Sequence, residues 1–152
     1  MNKKTIVLAS DHAGYPLKQA LKARLEEAGY PTVDMGTDST ASCDYPVYAE
    51  RGCRKLLEGG GDLCILCCGT GVGMSMAANK IRGIRAACCS DVYSARYTRL
   101  HNDANVLCLG ARVVGEGLAW DLAEAFITTE FEGGKHARRV GLIMDLETKD
   151  RE

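Results

Sequence analysis

Between residues 62 and 68 the chain reads DLCILCC and passes without a break into GTGVG. A strand that is apolar at successive positions has no solvent face, so both of its sides must be covered. The common solution is a parallel sheet with a layer of helices on each face. The rest of the chain supplies the parts. Residues 5–10 (TIVLAS), 31–36 (PTVDMG), 84–90 (IRAACCS) and 105–110 (NVLCLG) read as further strands. Residues 16–28, 45–57, 72–81, 91–100, 116–128 and 135–147 read as helices. The first carries a stripe of Leu17, Leu21 and Leu25 and is stopped by Gly29. The alternation predicts an α/β fold. In such open sheets ligands bind beyond the carboxyl ends of the strands. The groups placed there are Asp11 and His12, Cys68 with the glycine turn, Ser90 and Asp91, and Arg112.

With 152 residues, 46% of them hydrophobic, the chain suits a single domain spanning 1–152. Its net charge is −1, with acidic and basic residues interspersed, so neither nucleic acid nor an anionic membrane is an expected partner. No apolar run approaches the roughly 20 residues of a spanning helix. The basic N-terminus reaches Asp11 and His12 too early for a secretory apolar segment, and a cytoplasmic protein is expected. Eight cysteines could suggest disulfides. Cys64, Cys67, Cys88, Cys89 and Cys108 instead fall in strand-like apolar runs, where cysteine acts as a small buried hydrophobe in a reduced protein. Cys64 and Cys67 form a CxxC, but side chains three apart on a strand point to opposite faces. No metal and no cofactor are therefore expected.

The turn GTGVG, leading from a buried strand into a helix, can aim backbone N–H groups at an anion. Met74 occupies the place where GxGxxG would need glycine, and no GK[ST] follows, so the common nucleotide loops do not fit. A tight turn without a ligand would also need glycine. Cys68 occupies the last strand position, where a thiolate is stabilised by the helix start. No papain- or caspase-like surroundings support a nucleophile. A base beside an array of N–H donors suits removal of a proton next to a carbonyl, the donors holding the enediolate oxygen. The plainer alternative is one more buried thiol. Asp11 could equally cap a helix, His101 and Asn102 could end one, and Lys135, Arg138 and Arg139 around His136 could clamp a phosphate or merely face solvent.

Taken together, SDHAG, GT, DYP, CCGTGVGMSMAANKIRGIRAA, HNDANVL, GARVVG and FEGGKHARRV resemble the ribose-5-phosphate isomerase B family, from about residue 5 to 147. That family includes galactose-6-phosphate isomerase subunits and some allose-6-phosphate isomerases. The resemblance implies a Rossmann-like αβα sandwich with a five-stranded parallel sheet, and a homodimer or homotetramer with the C-terminal helix at the dimer interface. It implies metal-free interconversion of ribose 5-phosphate and ribulose 5-phosphate. Cys68 takes the base role, with Thr70 hydrogen-bonding near the thiol. Gly69, Gly71, Val72 and Gly73, within the turn 69–73, hold the enediolate. His101, with Asp11 nearby, opens the furanose ring. Asn102 binds the sugar, and His12, Arg112, Lys135 and Arg139 hold the phosphate.

Lys135 stands where the family pattern usually has Arg; it keeps the charge and loses the bidentate fork. Relatives that lack the cysteine use a glutamate on the next helix. Residues 72–81 hold no acidic residue, so the chain is of the cysteine type. A six-carbon sugar phosphate, a non-catalytic phosphosugar- or nucleotide-binding module, and a thiol-redox protein are the alternatives. The last would require a strained bridge between adjacent cysteines, Cys67–Cys68 or Cys88–Cys89. The fourth helix runs from the carboxyl edge back toward the amino edge, so His101 and Asn102 should lie far from Cys68 in their own chain. A two-fold dimer would bring them together.

Overall fold

The computed structural model describes residues 2–149. Strand β3 (Leu63–Cys68) is buried at every position, between β1 (Ile6–Ser10) and β5 (Val106–Gly110), which are buried throughout as well. With β2 (Thr32–Asp34) and β4 (Ala86–Cys88) they form a five-stranded parallel sheet in the order β2-β1-β3-β5-β4. Six helices flank it: α1 (Tyr15–Glu27), α2 (Tyr45–Lys55), α3 (Val72–Ala78), α4 (Val92–Asn102), α5 (Glu116–Thr128) and α6 (Lys135–Lys149). The α/β expectation and the five-stranded parallel sheet are both borne out.

The strand order decides the layers. Connections β1→β2 and β4→β5 step one way across the sheet, while β2→β3 and β3→β4 step the other way. Right-handed crossovers then place α1 and α4 on one face and α2 and α3 on the other. The core divides accordingly. Leu63, Ile65 and Cys67 pack with Leu21 of α1, Ala95 of α4 and Phe126 of α5, whereas Cys64, Leu66 and Cys68 pack with Ala49 of α2 and Met74 of α3. Cys64 and Cys67 thus face opposite sides. The direction reverses between β1 and β3, so a crevice opens at their carboxyl ends, beside Asp11 and Cys68.

Several boundaries differ from the sequence expectation. β2 and β4 are three residues long, shorter than 31–36 and 84–90, because each is an edge strand paired on one side only. At β4 the open edge is met by a side chain. Asn79 Oδ1 accepts from the Ala86 N–H at 2.8 Å and its Nδ2 donates to the Ala86 carbonyl at 2.9 Å, so α3 stops short of Ile81. Cys88, at the end of this edge, is exposed, which corrects its reading as a buried hydrophobe. Helix α4 continues through His101 to Asn102, and its C-cap is Asp103 in the left-handed region rather than Asn102. Among the described residues no helix is long and apolar enough to cross a membrane.

Gly14 of SDHAG shows why the first loop is so tight. A Cβ there would sit 2.2 Å from the Cys67 carbonyl oxygen, so α1 starts in direct contact with the end of β3. The Gly14→Ala protein is expected to lose about 1–3 kcal/mol or more of unfolding free energy, because backbone must move. Urea denaturation checks this; an unchanged midpoint at unchanged m-value would show that the loop yields freely.

Candidate active site

The crevice between β1 and β3 is built from backbone. Cys68 ends β3 with only 4% of its surface exposed, and its Sγ accepts the Gly71 N–H at 3.1 Å. That bond exists because Gly71 adopts φ +80°, folding the turn back over the thiol; a side chain here would be strained and would also meet Cys88 Sγ at 2.9 Å. Thr70 Oγ1 accepts the Val72 N–H at 3.2 Å, a local turn bond next to the Gly71 amide that meets the thiol. Helix α3 has seven residues, so the donors here are the local amides of the turn more than an extended helix dipole.

Asp11 and His12 follow β1 at the same edge of the sheet as Cys68. Asp11 is nearly buried; its N–H donates to the Cys67 carbonyl at 3.3 Å and its Oδ1 accepts the Gly14 N–H at 2.9 Å. It caps the loop, while Gly14 itself is the N-cap position of α1. His12 Nδ1 accepts the Cys43 N–H at 3.2 Å, which leaves the ring proton on Nε2. From β5, the Arg112 N–H donates to the Gly69 carbonyl at 3.0 Å, and the guanidinium Nη1 lies 3.3 Å from where a Gly69 side chain would begin. Arg112 is therefore exposed at the lip of the glycine turn. Asp91, the other carboxylate of this edge, caps α4 by accepting from the Ser94 N–H and hydroxyl.

The remaining expected site residues gather elsewhere. His101 and Asn102 end α4, and Lys135 and Arg139 lie exposed on α6, which packs against α4. The expectation that Asp11 lies near His101 does not hold within one chain. Asp11 belongs to the β1–β3 crevice, and His101 touches Tyr97, Glu132 and His136. The cause is topological: α4 carries the chain from the carboxyl edge back toward the start of β5. An open groove of about 780 Å³ on this second side is lined by Arg85, Thr98, Asn102, Ile143, Met144 and Leu146, and does not include Cys68.

Three contacts escaped the sequence reading. The His101 and His136 rings stack at 4.0 Å with 8° between planes. Burial, and next the adjoining His101, hold the His136 imidazole below the usual histidine range. Cys43 approaches His12, its Sγ 3.9 Å from Nδ1. Lys18, fully buried on the Leu17 face of α1, pairs with Asp34 Oδ1 at 2.8 Å and ties α1 to the end of β2. The FEGGKHARRV motif was the one signal for His136. Nothing in local spacing pointed to the other two.

A parallel α/β sheet with a thiol, a carboxylate and an amide-rich turn at its switch point gathers reactive groups where open α/β sheets bind their ligands. The chain belongs to the ribose/galactose isomerase family, whose pattern matches residues 6–143, and it is an isomerase. It is 46% identical over 146 residues to ribose-5-phosphate isomerase B of Escherichia coli, covering 96% of this chain and 98% of that one. The structure of ribose-5-phosphate isomerase B from Clostridium thermocellum superposes with a TM-score of 0.94 at 47% identity, covering 95% of this chain and 98% of that one. The enzyme of that name from Mycoplasma genitalium, solved with bound ribulose-5-phosphate, gives a TM-score of 0.90 at 39% identity, covering 95% and 97%.

Proposed function

We propose that the chain, acting as a single domain in the cytoplasm, interconverts ribose 5-phosphate and ribulose 5-phosphate through an enediolate. The observation that carries the reading is the Cys68 thiol, seated at the crevice under the Gly71 N–H, in a chain alike over its length to ribose-5-phosphate isomerases. His101 opens the furanose ring. Cys68 takes the proton from C2 and returns it at C1. The amides of Gly69, Gly71, Val72 and Gly73 stabilise the charge that develops on oxygen. His12 and Arg112 approach the phosphate from the crevice side, and Lys135 and Arg139 from the α6 side, with Asn102 on the sugar.

These groups can meet only if two chains share a site, so the acting unit is a two-fold dimer, alone or within a tetramer. Supporting this, α6 exposes Leu142, Ile143 and Leu146 at 46–59% relative exposure, an apolar stripe beside the residues that must cross over. The direct test is a panel of aldose phosphates incubated with the purified protein and scored for ketose. Turnover of ribose 5-phosphate above allose 6-phosphate and galactose 6-phosphate supports the reading. Preference for a six-carbon sugar would reassign the substrate, and binding without turnover would make the chain a binding module.

Lys135→Arg is expected to keep or lower the KM for ribose 5-phosphate, since the fork adds a second hydrogen bond to phosphate. A raised KM would mean that the pocket is shaped for lysine. Steady-state kinetics at fixed ionic strength decide it.

A further inference from the structure

The geometry points to a reversible binding site for a borderline divalent transition ion, of the Zn²⁺ or Co²⁺ class, formed by His101, Glu132 and His136. Among the described residues these form the one group of three His, Cys, Asp or Glu side chains whose ligand atoms all lie within 4.8 Å of one another. Backbone builds the arrangement. The Glu132 N–H donates to the Leu100 carbonyl at 3.1 Å, tying the segment before α6 to the last turn of α4. Gly133 and Gly134, both at positive φ, then reverse the chain, and the His136 N–H donates to the Gly133 carbonyl at 3.1 Å. Glu132 and His136 are thereby presented to His101 from one side. His101 Nε2 lies 3.5 Å from Glu132 Oε2, and the two imidazoles stack face to face.

Two imidazoles and one carboxylate are the donor set of zinc-type sites with an open fourth position, whereas Mg²⁺ and Ca²⁺ prefer all-oxygen shells. A tetrahedral ion at about 2.0–2.1 Å from each donor needs the donor atoms roughly 3.3 Å apart. His136 is 8% exposed and acts as the fixed member. The side chains of His101 and Glu132 are 38% and 55% exposed and free to rotate; imidazole lone pairs lie in the ring plane, so His101 must turn out of its stack on His136 to aim a ring nitrogen at the shared ion. Lys135 adjoins His136 and Arg139 lies one helical turn further on, both exposed, and these two cationic side chains oppose a bound divalent ion. This makes the site a reversible one. Occupancy takes the His101 lone pair, so the bound ion blocks turnover; this consequence, unlike the site itself, rests on the ring-opening role proposed for His101.

The test is a Co²⁺ titration of the full-length, chelator-treated protein, read by visible absorption and calorimetry, beside Glu132→Gln and His136→Gln. Expected are one Co²⁺ per chain, d–d bands without thiolate charge transfer, and affinity reduced about tenfold or more in each variant. Absence of binding, a thiolate band that places the ion on cysteines, equal binding of Mg²⁺, or unchanged affinity in both variants would overturn the site. Circular dichroism of the variants separates lost ligation from lost folding. Co²⁺ binding with these signatures but without inhibition supports the site and removes His101 from ring opening.

Discussion

Cys68→Ala is expected to lower kcat for ribose 5-phosphate by about 10²–10⁴-fold, the range that a positioned general base supplies, and to leave KM nearly unchanged. The reason lies in where the thiol acts. In the proposed mechanism it meets the substrate only in proton transfer, whereas ground-state affinity is assigned to Arg112, His12 and the α6 cations around the phosphate. Cys67→Ala is the matched control. Its side chain is buried on the opposite face against the Leu21 side of the core, and burial pushes its thiol up to about 12, so it is not ionised at neutral pH. That variant is expected to keep its turnover and to lose on the order of 1 kcal/mol of stability, as for one buried methyl-sized group. Near-normal kcat in Cys68→Ala, or an equal loss in Cys67→Ala, would remove proton transfer from Cys68.

The second large effect is a recovery. Cys68→Ala and His101→Ala proteins, each expected to be inactive alone, should regain about a quarter of full activity after their subunits are dissociated and reassociated together. In a shared-site dimer, a mixed pair carries one site with both defects and one site with neither. Random pairing makes roughly half of the dimers mixed, and each has one working site of two. The structure supplies the premise: the thiol lies at the carboxyl end of β3, while His101 ends α4 against α6. Mixed dimers verified by mass spectrometry but without activity would mean that each site is made by one chain. The α6 stripe of Leu142, Ile143 and Leu146 gives a companion observable. Shielding of these residues from solvent in hydrogen exchange should depend on protein concentration.

Local pattern was sufficient for the architecture and for half of the site. Successive apolar residues in DLCILCC have no solvent face, which by itself demands a strand covered on both sides. Glycine, thiol, Asp11 and Arg112 at strand ends then fall on one edge, because every parallel strand points the same way. Helix α4 running back from that edge was legible too, and with it the separation of His101 from Cys68. The resemblance added the residue roles, which neither periodicity nor spacing could supply. What only tertiary structure decided involves pairs distant in sequence: the strand order that puts the crevice between β1 and β3, the Asn79 side chain on the backbone of β4, the Lys18–Asp34 pair, and the stack of His101 on His136. Periodicity reports which face of an element is buried. It does not report which element covers that face, since any apolar surface of suitable shape satisfies the same hydrophobic requirement. Partner choice is settled by crossover handedness, loop length and the few polar groups that must find a mate inside, and those are properties of the assembled chain.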